Sequence, residues 1–340
     1  MKTSALVLFR RYAAFGLVAI GMGLLAGCSE SGAEVPWEAY HQQLVEDLQG
    51  PPLERHTPSN IGAFPSRKAR LFSIAETRES LPNVYALREC RITSLVAARN
   101  NQLGRMAPPS QRWLYERELW QRLSGCWNTA IPDTLSEEDR SRLHRLTLHK
   151  TQQLPLVSWN TLFDSSEWEG SFSRASHAID PEELGATSAH LEAVTYLHRM
   201  ILHQFDRQWG QDSSTLEGHL QTLQQRPLSA EIMRALLLAT QRLEEGTDYL
   251  EQHGDKHSTC LTSWDASGLD SLAEHSREWL KAVNTLFNAH PVTPPKALRD
   301  YRQRWLSLNS ESAPWAAFQL ARKQHQETRA HFSRCQSRNK

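Results

Sequence analysis

Apolar residues recur at intervals of three and four along nearly the whole chain beyond residue 35, and alternation with a period of two is scarce. This spacing places apolar side chains on one face of an α-helix, whereas a half-buried strand alternates at every second residue. The pattern therefore predicts an all-α fold, a bundle or array of about ten helices. The clearest apolar stripe comprises Leu191, Val194, Leu197, Ile201, Phe205 and Trp209.

Prolines set the expected ends of these helices, because proline has a fixed φ and lacks an amide donor. Pro108-Pro109 and Pro294-Pro295, for example, stand between periodic segments. The helix containing the apolar stripe is expected to begin after Asp180-Pro181-Glu182-Glu183, which has the residues of a capping box. The other predicted helices cover 36–49, 83–100, 110–129, 136–153, 155–163, 213–225, 228–253, 266–289, 295–309 and 314–335.

The domain expected from residues 36–340 is large for a single hydrophobic core. One elongated helical domain and two helical subdomains dividing near 171–180 are both compatible with the pattern. Residues 50–72 are less periodic and contain several prolines and glycines, so we expect them to wrap over the surface.

The first 27 residues have the features of an export signal. Lys2, Arg10 and Arg11 precede an apolar run from Ala13 to Leu25, and no acidic residue is present. That run is short for a membrane-spanning helix, which needs about 20 apolar residues. A cleaved signal peptide is therefore favoured over a permanent transmembrane anchor.

The residues after the apolar run, Leu25-Ala26-Gly27-Cys28, resemble the lipobox of bacterial lipoproteins. The resemblance implies that Cys28 carries a thioether-linked diacylglycerol and an amide-linked acyl chain, which together anchor a protein stably. Ser29 follows in place of the Asp that retains such proteins at the inner membrane, so we expect the periplasmic face of the outer membrane. Residues 28–35 are predicted to form a flexible tether. The alternative is an ordinary cleavage site beside an unrelated cysteine.

Charge composition argues against a nucleic-acid partner, because 38 Lys and Arg residues balance 38 Asp and Glu residues. A dedicated nucleic-acid binder has a basic excess. Loss of residues 1–27, which hold three basic and no acidic residues, would leave a mildly acidic mature domain.

The cysteines beyond Cys28 suggest structural disulfides, because they are even in number and the chain is expected to reach an oxidising compartment. Four cysteines allow three pairings, of which we prefer Cys90–Cys126 with Cys260–Cys335 because each bond joins neighbouring predicted helices. No C-x-x-C motif is present, which argues against redox catalysis, and the cysteine spacing does not suggest zinc.

Local motifs for catalysis, metal binding or cofactor binding are absent from the sequence. His144 and His149 are five residues apart, about 140° around a helix, so this pair cannot chelate one ion. The nucleophile elbow, the phosphate-binding loop and the dinucleotide fingerprint are also missing. We therefore expect no metal and no cofactor, while a catalytic site assembled from distant residues stays compatible with the sequence.

Two further features have a structural and a functional interpretation. Trp113, Trp120 and Trp127 recur every seven residues, which suits core packing and, alternatively, a stacking platform for a ligand. The chain from Glu311 onward has an excess of basic residues, which suits a solvated helix face and, alternatively, contact with an anionic polymer or lipid.

The polar connection 99–112 between two strongly helical pieces is the main candidate for recognition. Leu103-Gly104 suits a chain reversal, and Ser110 is predicted to cap the next helix. The segment is either a structural hairpin, whose charged residues form ion pairs and carbonyl contacts, or a recognition loop. The candidate recognition residues are Arg99, Asn100, Arg105, Ser110, Gln111 and Glu116.

This part of the chain resembles an uncharacterised proteobacterial lipoprotein family, domain of unknown function 3080. The resemblance is carried by Leu87-Arg88-Glu89-Cys90, Arg99-Asn100, Leu103-Gly104, Pro109-Ser110-Gln111, Leu114-Tyr115-Glu116 and Cys126. It implies a gammaproteobacterial periplasmic lipoprotein in which Cys90 and Cys126 occupy motif positions. The family has no known activity to transfer.

The sequence leads to one main hypothesis, a lipid-anchored periplasmic protein that binds or scaffolds an envelope protein or a cell-wall polymer such as peptidoglycan. The permanent anchor and the missing catalytic motifs motivate it. The alternative is an envelope enzyme, a hydrolase or lyase with an acid–base pair drawn from separate helices. A purely structural accessory protein is a third possibility.

Overall fold

The computed structural model of the protein describes residues 32–173, 175, 177–255 and 259–334. The predicted signal peptide, Cys28 and Cys335 lie outside these residues. The regular structure of the described chain is almost all helix, with one two-residue strand pair, which confirms the predicted all-α class. Val35, at the end of the predicted tether, is the first residue of a helix, and Ala33 before it is already buried.

Among the described residues, eight longer helices make up most of the fold. They are α1 (Val35–Leu48), α6 (Pro109–Trp127), α8 (Glu137–Phe163), α10 (Ser188–Leu202), α11 (Ser213–Gln224), α12 (Leu228–His253), α13 (Ser267–Ala289) and α15 (Pro314–Ala330). The shorter helices are α2 (Arg67–Arg70), α3 (Leu81–Ala86), α4 (Thr93–Asn100), α5 (Gln102–Arg105), α7 (Ile131–Thr134), α9 (Ser166–Ser171) and α14 (Lys296–Tyr301).

Other regular elements are short. The 3₁₀ segments are Arg88–Cys90 and Pro181–Thr187, and the π-helical turn Arg302–Leu306 continues α14. Strand β1 (Cys260–Leu261) pairs in parallel with β2 (Ser333–Arg334), with Cys260 opposite Ser333. This small pairing fastens the end of α15 to the connection between α12 and α13.

Two predicted helix boundaries are wrong. Pro155 does not separate two helices but lies inside α8, where Leu154 and Val157 are buried, so packing offsets the lost backbone hydrogen bond. Conversely, the predicted helix 83–100 is broken at Arg91, whose φ of 57° is left-handed and ends the 3₁₀ turn before α4.

The predicted apolar stripe is longer than its helix. Helix α10 ends at Leu202, so Phe205 and Trp209 lie beyond it. The segment after Asp180 is a 3₁₀ turn rather than the first turn of the α-helix, and the Asp180 side chain makes no capping hydrogen bond. The capping box predicted there is therefore wrong, although Pro181 does occupy the first helical position.

The described residues form two hydrophobic cores, and the larger one gathers side chains from α1, α6 and α8 to α15. Trp168 and Leu184 belong to it, and so do Phe172 and Ile179 between them. Residues before, within and after the segment 171–180, where the sequence suggested a division, thus pack into one cluster.

The smaller core lies among α3, α4, the ends of α6 and α8 that lie next to α7, and the 3₁₀ turn at Arg88–Cys90. Its buried members are Val84, Leu87, Cys90, Ile92, Leu119, Leu123, Cys126, Leu143 and Leu146. The predicted Cys90–Cys126 disulfide is confirmed and closes this core. It is the one disulfide of which both cysteines lie in the described part of the chain; Cys260 is also disulfide-bonded.

The tryptophans of α6 support core packing rather than a stacking platform. Trp113 and Trp120 are buried, and the partly buried Trp127 stacks on His144 with 4.6 Å between ring centroids. Trp113 donates a hydrogen bond to the Ser158 hydroxyl on α8 at 2.7 Å. Indoles with satisfied N–H groups inside a core leave no free ring face for a ligand.

Among the described residues, no helix is both long enough and apolar enough to cross a membrane.

Because the fold contains buried histidines, we predict that it loses stability in acid. His290 packs against Trp159, with 5.0 Å between ring centroids, and burial lowers its pKa from 6.5 to about 3. The unfolded chain therefore binds a proton between pH 6.5 and 3 that the folded chain does not bind, so the free energy of unfolding falls as the pH falls through this window.

This prediction is tested by chemical denaturation at several pH values between about 7.5 and about 4, measured for the wild type and for H290L. We expect the free energy of unfolding to be constant above about pH 6.5 and to fall below it, with a shallower fall in H290L. An equal slope in the two proteins would show that His290 does not contribute.

Candidate functional site

A large cleft of about 1560 Å³ opens beside the smaller core. One wall consists of residues 71–79, which we call the strap. Helices α6 and α8 contribute further lining residues, and the α4–α5 hairpin contributes Arg99, Asn100 and Arg105 to the rim. The cleft is therefore built from segments that the sequence keeps far apart.

The strap crosses α8 without forming a helix or a strand, and side-chain amides hold it there. The Asn160 amide bonds to both backbone groups of Phe72, accepting from its N–H at 2.9 Å and donating to its carbonyl at 2.8 Å. The Gln153 amide donates to the Ala75 carbonyl at 2.7 Å. These contacts satisfy backbone groups that would otherwise need a neighbouring strand.

Charged side chains at the base of the strap fix its entry into the cleft. The buried Arg70 donates to the Phe163 carbonyl at 2.6 Å and to the Pro65 carbonyl at 2.8 Å, and it forms an ion pair with Glu169. At the other end of the strap, Glu79 faces Arg142 at 3.8 Å. Both ends of the strap are thus held on the body of the protein.

The α4–α5 hairpin owes its shape to Gly104. A Cβ at this position would lie 2.3 Å from the Ala98 carbonyl oxygen, so a larger residue would collide with α4. Asn101 accepts a hydrogen bond from the Gly104 N–H at 2.7 Å and caps α5. Leu103 and Gly104, where the sequence suggested a chain reversal, lie inside α5, and the chain turns before them at Asn101.

Backbone carbonyls of the hairpin orient two of the rim arginines. Arg99 donates to the Gly104 carbonyl at 2.5 Å and lies over the Tyr115 ring, 5.8 Å from its centroid. Arg112 donates to the Ala107 carbonyl at 2.8 Å. Each contact uses one N–H group, so most donors of both guanidinium groups remain for another partner.

Basic residues outnumber acidic residues along the lining, seven to four. The basic residues are Arg67, Lys68, Arg78, Arg99, Arg105, Arg112 and Lys150, and the acidic residues are Glu76, Glu79, Glu116 and Asp164. Because of the basic excess we call this site the basic cleft.

Each acidic residue of the basic cleft faces a cation. Arg67 pairs with Asp164, and Arg78 lies 2.6 Å from Glu76 and lowers the pKa of that carboxyl group. Glu79 faces Arg142, as described above. On the floor, Lys150 is only 7% exposed and contacts Glu116 at 2.8 Å.

The remaining four cations are Lys68, Arg99, Arg105 and Arg112. Within the described chain none of the four has a carboxylate oxygen within 4.0 Å. A tyrosine hydroxyl is protonated at neutral pH, and burial, with a smaller contribution from Glu116, raises the pKa of Tyr115 beside them further, to about 12. Its hydroxyl is therefore a hydrogen-bond donor at neutral pH.

The structure divides the six candidate recognition residues into two groups. Arg99, Asn100, Arg105 and Glu116 line the basic cleft. Ser110 and Gln111 do not, because both bond to Glu217 on α11, at 2.7 and 2.8 Å. Ser110 is also not a helix cap, since α6 begins at Pro109; it fastens α6 to α11.

Sequence reasoning missed the strap and the polar residues of α8. Lys150, Gln153 and Asn160 recur at intervals of three and seven, which places them on one face of a helix. That polar stripe was the available signal. The strap segment itself carries no periodic pattern, so its role becomes visible only when α8 is placed beneath it.

No group of three or more potential metal ligands occurs among the described residues. The polar groups of the basic cleft are predominantly donors, and such a site suits an anionic ligand rather than a cation.

The fold and the site thus define an all-α protein with a basic cleft between a strap and a helix pair. The family model described as "Protein of unknown function (DUF3080)" matches residues 37–272, more than half of the chain and all of the cleft lining. The chain belongs to this family. No curated protein and no solved structure matches the chain.

The amide contacts of Asn160 predict a local effect of N160A. This variant leaves the backbone N–H and carbonyl of Phe72 without their partners, which costs about 1–3 kcal/mol when such groups stay buried. We expect a lower free energy of unfolding and faster amide hydrogen exchange in residues 71–76, measured by mass spectrometry. Exchange in α15 is the internal control, and unchanged exchange in the strap would contradict its attachment through Asn160.

Proposed function

We propose that the protein is a lipid-anchored binding protein of the bacterial cell envelope and that its basic cleft binds a ligand with negative charge. The observation that carries this proposal is the group of four cations, Lys68, Arg99, Arg105 and Arg112, that line one cleft without a carboxylate partner in the described chain. Clefts lined by one sign of charge raise the local concentration of oppositely charged ligands.

The carboxylates of the basic cleft favour binding over acid–base catalysis. Asp164, Glu76, Glu79 and Glu116 all face basic side chains. An acid–base enzyme of the kind considered from the sequence needs a carboxyl group with a raised pKa beside one that stays ionised. Glu76 is the opposite case, because the hydrogen bond and charge of Arg78 lower its pKa.

The charge of the basic cleft limits the chemical class of partner that we expect to bind there. An envelope protein or a cell-wall polymer would have to present phosphate or carboxylate groups to these cations. Arginine binds both groups through paired N–H donors. A neutral ligand would leave the rim cations unpaired.

The anchor is the second part of the proposal and rests on the lipobox-like residues before Cys28. Lipid on Cys28 would hold the domain at the periplasmic face of the outer membrane. Incorporation of labelled palmitate should occur in the wild type and be lost in C28A. Palmitate labelling of C28A equal to that of the wild type would contradict attachment at Cys28.

We also propose that a second disulfide joins Cys260 to Cys335. The pairing of β1 with β2 places Cys260 opposite Ser333, two residues before Cys335 in the chain. Peptide mapping without reductant tests this bond, and a peptide that links Cys260 to a different cysteine would contradict it.

Photo-crosslinking in living cells tests binding at the basic cleft. A photoreactive residue at Asn100, on the rim, should give a discrete adduct, whereas one at Gln324, an exposed amide on α15, should not. The adduct at position 100 should decrease in the double variant R105E/R112E, because the reversed charges repel an anion.

Two results would contradict the proposed binding site. The first is an absence of any discrete adduct at position 100 in correctly anchored protein. The second is an adduct that R105E/R112E leaves unchanged, since the ligand would then not depend on the rim cations.

A further inference from the structure

The interior of the basic cleft is partly apolar. The Glu116–Lys150 pair lies on its floor, but four apolar side chains of the lining are only partly buried and so keep some surface open to the cleft. They are Leu71, Phe72, Ile74 and Val96. A fully polar ligand would leave this interior without an apolar partner, and burial of apolar groups is worth about 0.8 kcal/mol per methylene.

The volume of the cleft also bears on the ligand. Pockets for small molecules enclose roughly 300–1,000 Å³, whereas this cleft encloses about 1560 Å³. A bare phosphate or a small carboxylate would fill a minor part of it. The size therefore favours a long ligand that reaches from the charged rim into the apolar interior.

The helices beside the cleft expose large apolar side chains to solvent. Leu103 is 83% and Met106 is 80% exposed at the α5 hairpin, next to the rim cation Arg105. On α3, Leu81 is 81% and Tyr85 is 61% exposed. Exposed apolar side chains beside basic residues are typical of surfaces that contact anionic lipid.

From these observations we infer that the ligand of the basic cleft is an anionic phospholipid. Its phosphate would bind to Arg99, Arg105 and Arg112, and an acyl chain would lie along Phe72, Ile74 and Val96. Leu103 and Met106 would contact the membrane from which the lipid enters. This inference rests on the proposed function, because it identifies the chemical class of the anionic ligand.

Photolabelling in nanodiscs tests the inference with the full-length lipoprotein. The discs contain a trace of phosphatidylglycerol with a diazirine on its acyl chain, and matched discs contain phosphatidylcholine with the same chain. After irradiation and digestion, mass spectrometry locates the adducts. We expect adducts within residues 71–74 and 92–96, and about tenfold more of them from phosphatidylglycerol, because the positively charged choline group of phosphatidylcholine would face the rim cations.

Two matched variants separate the rim charge from the overall charge of the protein. R105E should reduce the interior adducts about tenfold. R277E reverses another exposed arginine, on α13 outside the cleft lining, and should leave them unchanged. Inorganic phosphate in large excess should also leave them in place, because phosphate lacks the acyl chain; complete displacement by phosphate alone would overturn the lipid assignment.

Three further results would overturn the inference. They are an absence of adducts in the interior, adducts confined to Leu103 and Met106, and equal yields from the two lipids. If crosslinking at Asn100 in cells then captures a polypeptide or a soluble anion that depends on Arg105 and Arg112, the proposed binding function stands and only the lipid is excluded. If that experiment fails as well, both proposals fail.

Discussion

Helices α6 and α8 pack side by side in opposite directions, and both cores are built on this pair. Trp113 near the start of α6 bonds to Ser158 near the end of α8 at 2.7 Å, and Trp120 bonds to Thr151 at 3.0 Å. The apolar residues of both helices continue from the larger core into the smaller one. The same pair presents Glu116 and Lys150 to the cleft, and α8 supplies the Gln153 and Asn160 amides that hold the strap. The cleft and both cores therefore depend on the same two helices.

Much of the fold follows from local sequence pattern. The helix predicted at 228–253 has those bounds in the structure, and most other long helices end within a few residues of their predicted limits. The errors occur where tertiary contacts override local signals. Pro155 lies inside a helix because the residues around it are buried. Arg91 adopts a left-handed conformation that no local sequence motif predicted.

The candidate site was partly visible in the sequence. Arg99, Arg105 and Glu116 stood out because a polar connection joined two strongly periodic segments. Ser110 and Gln111 belonged to the same stretch, but the start of a helix turns side chains in several directions, and these two meet Glu217 instead. The strap could not be predicted from the sequence, because its contacts join residues about 80 positions apart. The proposed function therefore rests on a juxtaposition, a partly apolar interior beside cations that lack carboxylate partners in the described chain.

Native mass spectrometry of the lipoprotein, isolated gently from the cell envelope, tests most directly whether the basic cleft is a binding site. We predict that the wild type retains a non-covalent anionic molecule and that a variant with Arg99, Arg105 and Arg112 all changed to Glu loses it. A control with R277E and R299E, at exposed arginines on α13 and α14, should retain it. Wild-type protein without any bound molecule, or equal retention by the cleft variant, would contradict binding at the basic cleft.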